Sequence, residues 1–313
     1  MNKPSITVVY GGVGPEREVS RVSGREVFEA LRNELGDQVS VLEIDSESFP
    51  ESLRPEKGIV FPVLHGDFGE DGAFQSMLEE RHFIFCGTGS EGCQTCIDKA
   101  ESKRIVSSLG YPIVGGLVFN SREEIDSAQV VETLGDHLVV KPVGKGSSVG
   151  LQFVEGAENL AQISKDLDKD LSPWLIERRV SGREFSIGVL NGKAMGVVEI
   201  IVPEDSHYDY QQKYHSDSTE YVCPAKVSSE ETEEVQRRAL HIFEACGCQD
   251  FARIDFMRCS DLKEWCFLEV NTHPGMTPSS LLPKSASVHG FDFASLVVEM
   301  CQPALKRFGN KQV

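Results

Sequence analysis

The stretch Asp250-Phe251-Ala252-Arg253-Ile254-Asp255-Phe256-Met257-Arg258 is followed, after a short link around Ser260-Asp261, by Glu264-Trp265-Cys266-Phe267-Leu268-Glu269-Val270-Asn271. In both runs apolar and polar side chains alternate, the pattern of a strand whose successive side chains point to opposite faces. Ala252, Ile254 and Phe256 share one face, which leaves Arg253 and Asp255 on the other. Glu269 and Asn271 likewise fall together, opposite Cys266, Leu268 and Val270. So short a link implies that the two strands pair. If their polar faces coincide, Asp255, Glu269 and Asn271 form an all-oxygen cluster, the donor set suited to Mg²⁺ on phosphate oxygens. A solvated sheet face accounts for the same spacing equally well.

Upstream, the apolar runs Phe185–Leu190 and Ala194–Ile201 flank Asn191-Gly192. That pair is the strongest short hairpin signal, because both turn residues must take positive φ. An antiparallel unit therefore begins near residue 181. Asp205–Pro224 is polar, aperiodic and longer than an ordinary connection, and reads as a functional lid. Ser228 with Glu231 makes a capping box for a helix striped by Val235, Ala239, Ile242, Phe243 and Cys246.

Toward the N-terminus, Ser5–Tyr10 is a β-branched run that ends at Gly11-Gly12, and Val27, Phe28, Leu31 and Leu35 follow at helical spacing. Val39–Ile44, Gly58–Leu64 and Phe83–Cys86 supply further strands, with Phe74, Met77 and Leu78 marking a helix before the last. Alternating strands and helices imply a mainly parallel sheet. From Cys93 one helix runs through Ile97, Ala100 and Leu109 until Gly110-Tyr111-Pro112 breaks it. Strands at Leu138–Lys141, Val149–Val154 and Trp174–Glu177, with a helix through Leu160, Ile163 and Leu167, make a small α+β lid. The expected fold class is thus α/β and α+β, in three units: 1–95, 96–180 and 181–313.

Two loops carry chemistry of their own. Lys141-Pro142-Val143-Gly144-Lys145-Gly146-Ser147-Ser148-Val149-Gly150 sets a lysine at a strand end before a Gly/Ser turn, whose bare N–H groups can approach an anion. It lacks the G-x-x-x-x-G-K-[ST] order of a P-loop, and a plain turn would look the same. His65-Gly66-Asp67-Phe68-Gly69-Glu70-Asp71-Gly72 follows a buried strand, where α/β sheets place ligands, although a self-satisfied loop network also fits. Gly87-Thr88-Gly89-Ser90-Glu91-Gly92 matches G-x-G-x-x-G, but Ser102–Arg122 holds no acidic residue to meet a ribose, which excludes a dinucleotide site. Cys93-x-x-Cys96 has no second pair at zinc spacing and reads as packing at a helix start.

Hydrophobic residues at 40% and charged residues at 26% exclude disordered, collagen-like and disulfide-scaffold classes. Lys and Arg number 31 against 49 Asp and Glu, and the net charge of −18 argues against nucleic acid or an anionic membrane as partner. No apolar run nears the roughly 20 residues of a membrane span, and Met1-Asn2-Lys3-Pro4-Ser5 leads into a strand instead of a signal peptide. A cytoplasmic location is expected, with the nine cysteines as reduced thiols.

Together these residues resemble the D-alanine–D-alanine ligase family, which has the ATP-grasp fold. The motifs run in order along nearly the whole chain: Gly11-Gly12 and Glu16-Arg17-Glu18-Val19-Ser20; His65-Gly66 with Glu70-Asp71-Gly72; Asp98-Lys99; Lys141-Pro142 with Gly146–Gly150; Lys213-Tyr214 with Asp217; Cys223-Pro224-Ala225; Arg253-Ile254-Asp255; and Glu269-Val270-Asn271-Thr272 with Pro274-Gly275-Met276-Thr277. One of them alone is weak, whereas the ordered set is highly specific.

The resemblance implies ATP-dependent joining of two D-alanines through an acyl phosphate, with ADP and phosphate released, for peptidoglycan precursor synthesis. It implies ATP as co-substrate, two Mg²⁺ ions (or Mn²⁺) on Asp255, Glu269 and Asn271, and a homodimer. Lys99 and Lys141 would touch the phosphates, Glu177 and the backbone at Val180 the adenine, and Glu184 the ribose. Glu16 would hold the ammonium of the first D-alanine, with His65 also in substrate contact. Lys213, Ser280 and Leu281 would surround the second, and Arg253 with the Gly275 N–H would face the oxyanion. Ser147 and Tyr214 would join Glu16 in tying lid and loop over the substrates. Tyr214 resembles members that add D-alanine; those that add D-lactate carry histidine there. Four positions depart from the common pattern: His273, where a small or unbranched residue usually precedes Pro-Gly; Pro278; and Cys93 and Cys96, at sites usually held by small residues. Two other readings remain: an ATP-grasp ligase for a different amino-acid or hydroxy-acid pair, and a non-catalytic nucleotide-binding regulator.

Overall fold

In the computed structural model, described over residues 4–203 and 219–311, three sheets follow one another along the chain. Strands β1 (Ser5–Gly11), β2 (Val39–Ile44), β3 (Gly58–Leu64) and β4 (Ile84–Phe85) form a parallel sheet in the order β2-β1-β3-β4. Every residue of β3 is buried, as a parallel sheet requires when both of its faces are covered. Helix α1 (Arg17–Leu35) supplies Val27 and Leu31 to one face. On the other, Phe68 of α2 (Asp67–Glu70) and Phe74 and Leu78 of α3 (Ala73–Glu80) pack with Val9, Val60 and Leu64.

The single helix expected from Cys93 to Leu109 is in fact two, α4 (Ser90–Ile97) and α5 (Lys99–Ser108). Asp98 leaves the helical region at φ −74°, ψ 98°, and its carboxylate accepts the Glu101 N–H at 2.8 Å, so it caps α5. The apolar spacing continues across the break, which is why periodicity alone gives one helix. The consequence is functional, because Lys99 becomes the first residue of a helix.

The second sheet is antiparallel, in the order β5-β8-β6-β7: β5 (Gly116–Phe119), β6 (His137–Pro142), β7 (Gln152–Glu155) and β8 (Trp174–Arg178). Helices α6 (Ser127–Leu134) and α7 (Gly156–Asp166) accompany it. Strand β7 starts at Gln152 and not at Val149, because Gly150, at φ +69°, still belongs to the preceding loop.

The third sheet holds β9 (Gly182–Leu190), β10 (Lys193–Ile201), β11 (Glu220–Val222), β12 (Phe251–Cys259) and β13 (Glu264–Asn271), in the antiparallel order β11-β10-β9-β12-β13. Asn191 and Gly192 sit at φ +50° and +74° between β9 and β10, as the hairpin signal predicts. The Ser228/Glu231 capping box opens α8 (Ser229–Ala245), whose Val235, Ala239, Ile242 and Phe243 pack with Phe185, Ile187 and Ile254 of the sheet. After α9 (Leu281–Ser287), helix α10 (Phe293–Lys311) returns to the first sheet. Its Leu296, Val297, Met300 and Phe308 share a core with Ile6, Val8 and Phe61. All nine cysteines are free thiols, and seven of them are buried. Among the described residues no helix is long and apolar enough to cross a membrane.

Candidate active site

The register of β12 and β13 sets Asp255 opposite Glu269 and Arg253 opposite Asn271, while Ser186 of β9 flanks Asp255 on its other side. The polar faces of the two strands therefore coincide. Asp255 is 4% exposed, and a buried carboxylate needs charge-assisted hydrogen bonds to offset its lost hydration. Ser186 Oγ donates to Oδ1 at 2.7 Å, Arg253 Nη2 to Oδ2 at 2.8 Å and Asn271 Nδ2 to Oδ2 at 3.1 Å. A bulge follows: Phe256 pairs with Phe267, so Leu268 is the extra residue on β13. Leu268, expected on the opposite face, instead lines the cavity beside Glu269. Two carboxylates and an amide offer only oxygen to a hard cation, which is the fit that Mg²⁺ or Mn²⁺ requires. Among the described residues no three His, Cys, Asp or Glu side chains gather for a metal, so the set depends on Asn271 as its third member.

A cavity of about 470 Å³ is bounded by residues of the second and third sheets. Lys99, Lys141, Glu177, Val180, Glu184, Asp255 and Glu269 all line it, so seven residues singled out in the sequence meet in one space. Asn271 lines a smaller adjoining cleft, which shares Lys99 and Glu269 with the first and reaches Glu70 and Gly146. The Lys99 N–H donates to Val143 O at 3.1 Å, and its ammonium bonds the Lys145 carbonyl. Lys145 Nζ in turn meets Asp67 Oδ2 at 2.5 Å, joining the Gly/Ser loop to the His65 loop.

Glu177 lies between two ammonium groups, Lys103 Nζ at 2.5 Å and Lys141 Nζ at 2.6 Å. Burial alone would raise its pKa, but the two cations reverse that and hold the carboxyl at about 2. Lys103, itself buried, is a residue that sequence reading missed. Its only local signal is the i,i+4 spacing from Lys99, and its partner stands on a strand of another sheet.

At the other end, the Ser147 hydroxyl donates to Glu16 Oε1. Ser147 and Ser148 hold positive φ, 47° and 59°, to make this approach. A Cβ on Gly146 would lie 2.9 Å from Glu70 Oε2 and one on Gly66 2.8 Å from Glu16 Oε2, so the loops close on Glu16 and Glu70 only where side chains are missing. Burial, then repulsion from Glu70, pushes the Glu16 pKa up, while Ser147 and His65 pull it back. His65 is buried between Glu70 Oε1 and Ser23 Oγ, 3.3 Å from each.

Ser280 precedes α9 and its hydroxyl accepts the Thr277 N–H at 3.0 Å. A Cβ on Gly275 would sit 3.3 Å from Ser280 Oγ, so these two candidates are neighbours, and Leu281 beside them is buried. Lys213, Tyr214 and Asp217, with most of the Asp205–Pro224 segment, lie outside the described residues.

The motifs set aside in the sequence have packing roles. The Gly87 N–H donates to Asp250 Oδ2 at 3.0 Å, and a Cβ on Gly92 would come within 2.5 Å of Gly247 O. Cys93 and Cys96 are both buried on α4, and burial pushes the Cys93 thiol up to about 12.

In three dimensions the chain is similar to the D-alanine–D-alanine ligase of Bacillus anthracis complexed with ATP, at a TM-score of 0.86 and 27% identity, covering 99% of this chain and 100% of that one. It is similar also to the VanG D-Ala:D-Ser ligase of Enterococcus faecalis, at a TM-score of 0.81 and 25% identity over 97% and 100% of the two chains. The architecture is that of the ATP-grasp enzymes. The family profile described as D-ala D-ala ligase C-terminus matches residues 99–302. A D-alanine–D-alanine ligase of Glaesserella parasuis is 38% identical over 299 residues, 95% of this chain and 97% of that protein. The chain belongs to the D-alanine–D-alanine ligase family.

Proposed function

We propose that the protein joins two D-alanines to D-alanyl-D-alanine at the expense of ATP, releasing ADP and phosphate, in the synthesis of peptidoglycan precursors. One cavity carries the assignment, because it brings two lysines, Lys99 and Lys141, together with two opposed carboxylates, Asp255 and Glu269. A cleft toward Gly146 and Glu70 adjoins it, near the Ser147–Glu16 contact. A non-catalytic regulator would have little use for such a constellation.

A carboxylate and a triphosphate repel each other, so positive charge must stand between them. Lys99 and Lys141 supply it from the protein. Asp255, Glu269 and Asn271 would hold Mg²⁺, which when bound neutralises phosphate oxygens. The net charge of −18 does not oppose this, since salt screens charges beyond about 8 Å. The backbone at Val180 meets the adenine with Glu177 beside it, and Glu184 meets the ribose. Glu16 holds the ammonium of the first D-alanine, with His65 also in substrate contact, and that substrate's carboxylate attacks the γ-phosphate to give an acyl phosphate and ADP. The second D-alanine would take Lys213, Ser280 and Leu281 as its contacts, and Tyr214 would join the Ser147–Glu16 pair. Its amine attacks the acyl carbon, and phosphate leaves. Arg253 and the Gly275 N–H face the tetrahedral oxyanion, a type of contact worth roughly 3–4 kcal/mol elsewhere. The protein is then a cytoplasmic homodimer whose chain divides at about residues 95 and 180.

The likeness to a D-Ala:D-Ser ligase favours one second reading, the same activation of D-alanine with D-serine as acceptor. Phosphate release with ATP, Mg²⁺ and D-alanine, for the wild type and for Asp255→Ala, tests the proposal. D-alanine-dependent release is expected from the wild type, with most turnover lost in the variant. Robust release from Asp255→Ala would remove the metal assignment, and product only with D-serine would favour the second reading.

A further inference from the structure

The turn that carries Gly275 is held from the N-terminal sheet's helices by one hydrogen bond on either side of it. Before Gly275, Gln75 Nε2 of α3 lies 3.1 Å from His273 Nε2 and 2.8 Å from Gly69 O. After it, the Met276 N–H donates to Ser23 Oγ of α1 at 3.3 Å. A carbonyl oxygen only accepts, so the Gln75 atom touching both Gly69 O and His273 is the amide nitrogen, and His273 Nε2 must accept from it. The ring proton then sits on Nδ1 and donates to Thr272 Oγ1, 3.2 Å away. Cys93 Sγ lies 3.6 Å from the same Thr272 oxygen. His273 and Cys93, two of the positions singled out in the sequence, thus converge on one hydroxyl. Gln75, Thr272, His273 and Cys93 are all buried. Gln75 Oε1 is also buried, with no hydrogen-bond partner among the described residues. An apolar side chain at position 75 would avoid that desolvation, so packing alone does not account for the amide.

On the ligase reading above, we propose that Gln75 and His273 are positioning residues for the second half of the reaction, fixing the Gly275 N–H where the oxyanion forms. Charge on that oxygen develops only when the second amine attacks the acyl carbon. The first phosphoryl transfer instead uses Lys99, Lys141 and the Asp255/Glu269 side of the site. A turn that loses its anchor therefore slows ligation and spares activation. Misplacement of a reacting geometry by about 1 Å costs up to about a hundredfold in rate, while a thermal melt registers only the lost contact.

The test is single-turnover quench-flow with ATP, Mg²⁺ and D-alanine, following ADP and dipeptide together in wild type, His273→Leu, Gln75→Met and His273→Gln. In His273→Leu and Gln75→Met, ADP forms at close to the wild-type rate while dipeptide formation falls by about tenfold to a hundredfold. His273→Gln, whose side-chain oxygen can accept from Gln75, restores the dipeptide rate. Gln75→Met changes no residue of the turn, so it carries the test alone if His273→Leu does not fold. Equal slowing of ADP and dipeptide, no slowing at all, or identical behaviour of His273→Leu and His273→Gln overturns the assignment. Absence of D-alanine-dependent ADP from the wild type overturns the ligase reading itself, and this assignment with it.

Discussion

Glu177 is clamped between Lys103 and Lys141, at 2.5 Å and 2.6 Å. One ammonium comes from α5 and the other from β6, so a single carboxylate ties the helix that begins with Lys99 to the sheet that carries the second candidate phosphate-binding lysine. The three side chains are nearly withdrawn from water. The two cations keep Glu177 ionised, and Glu177 in turn offsets the burial and the Lys141 repulsion that lower the Lys103 pKa.

Removing one cation should therefore be costly, and the cost should depend on pH. The folded pKa of Glu177, about 2, lies below the ordinary 4.5, so the pairing stabilises fully above pH 4.5 and fades as pH falls toward 2. We expect Lys103→Met to destabilise the fold by about 3–5 kcal/mol at neutral pH, the range for breaking a buried pair from one side. The difference from wild type should shrink in acid, where the poorly compensated carboxyl of the variant takes up a proton. Urea melts of both proteins at neutral and acidic pH check this, and a gap that stays constant would show that Glu177 is not the titrating partner.

Ser147→Ala probes the opposite end of the site. The Ser147 hydroxyl is the main favourable influence on the Glu16 carboxylate, whose pKa burial and Glu70 have raised. A substrate ammonium requires Glu16 ionised, so kcat/KM for D-alanine should fall as pH drops through that raised value. Loss of the donor raises it further, and the acid limb of the profile should move to higher pH. A limb that does not move would mean that Glu16 is not the group the substrate needs ionised.

The residues that were legible in the sequence are those whose evidence is local. Period-two alternation and a short link are enough to bring Asp255 and Glu269 face to face, because a slip of one residue would turn both into the wrong layer. Asn191-Gly192 and the Ser228/Glu231 box announce themselves for the same reason. Leu268 escapes because the bulge that turns it toward the cavity is set by the partner strand. Lys103 escapes because Glu177 meets it only after the chain has built a second sheet. The apolar face of α10 carries no address either: nothing in Leu296, Val297 or Met300 tells that they will pack on Ile6 and Phe61. Of the candidate nucleotide residues, those named from the family likeness line a single cavity, although no spacing between them could have foretold it.

The glycine-rich segment that leads into α4 and forms its first turn allows a direct contest between packing and ligand binding. An alanine Cβ at Gly92 would lie 2.5 Å from the Gly247 carbonyl oxygen and 2.6 Å from Thr88 Cγ2. The carbonyl belongs to backbone, and Gly247 already sits at φ +71°, so little there can yield. At Gly89 the nearest atom is Glu79 Oε1 at 2.8 Å, the end of a flexible side chain. Gly92→Ala should therefore lower stability by roughly 1–3 kcal/mol, the usual range for overpacking, and Gly89→Ala by less. Were the segment a nucleotide loop, both variants would raise KM for ATP. If the glycines serve close packing, Tm falls for Gly92→Ala while KM for ATP, measured well below the transition, stays near that of the wild type. Thermal melts and ATP titrations on the two variants decide between these roles. A raised KM with an unchanged Tm would return the segment to the nucleotide site.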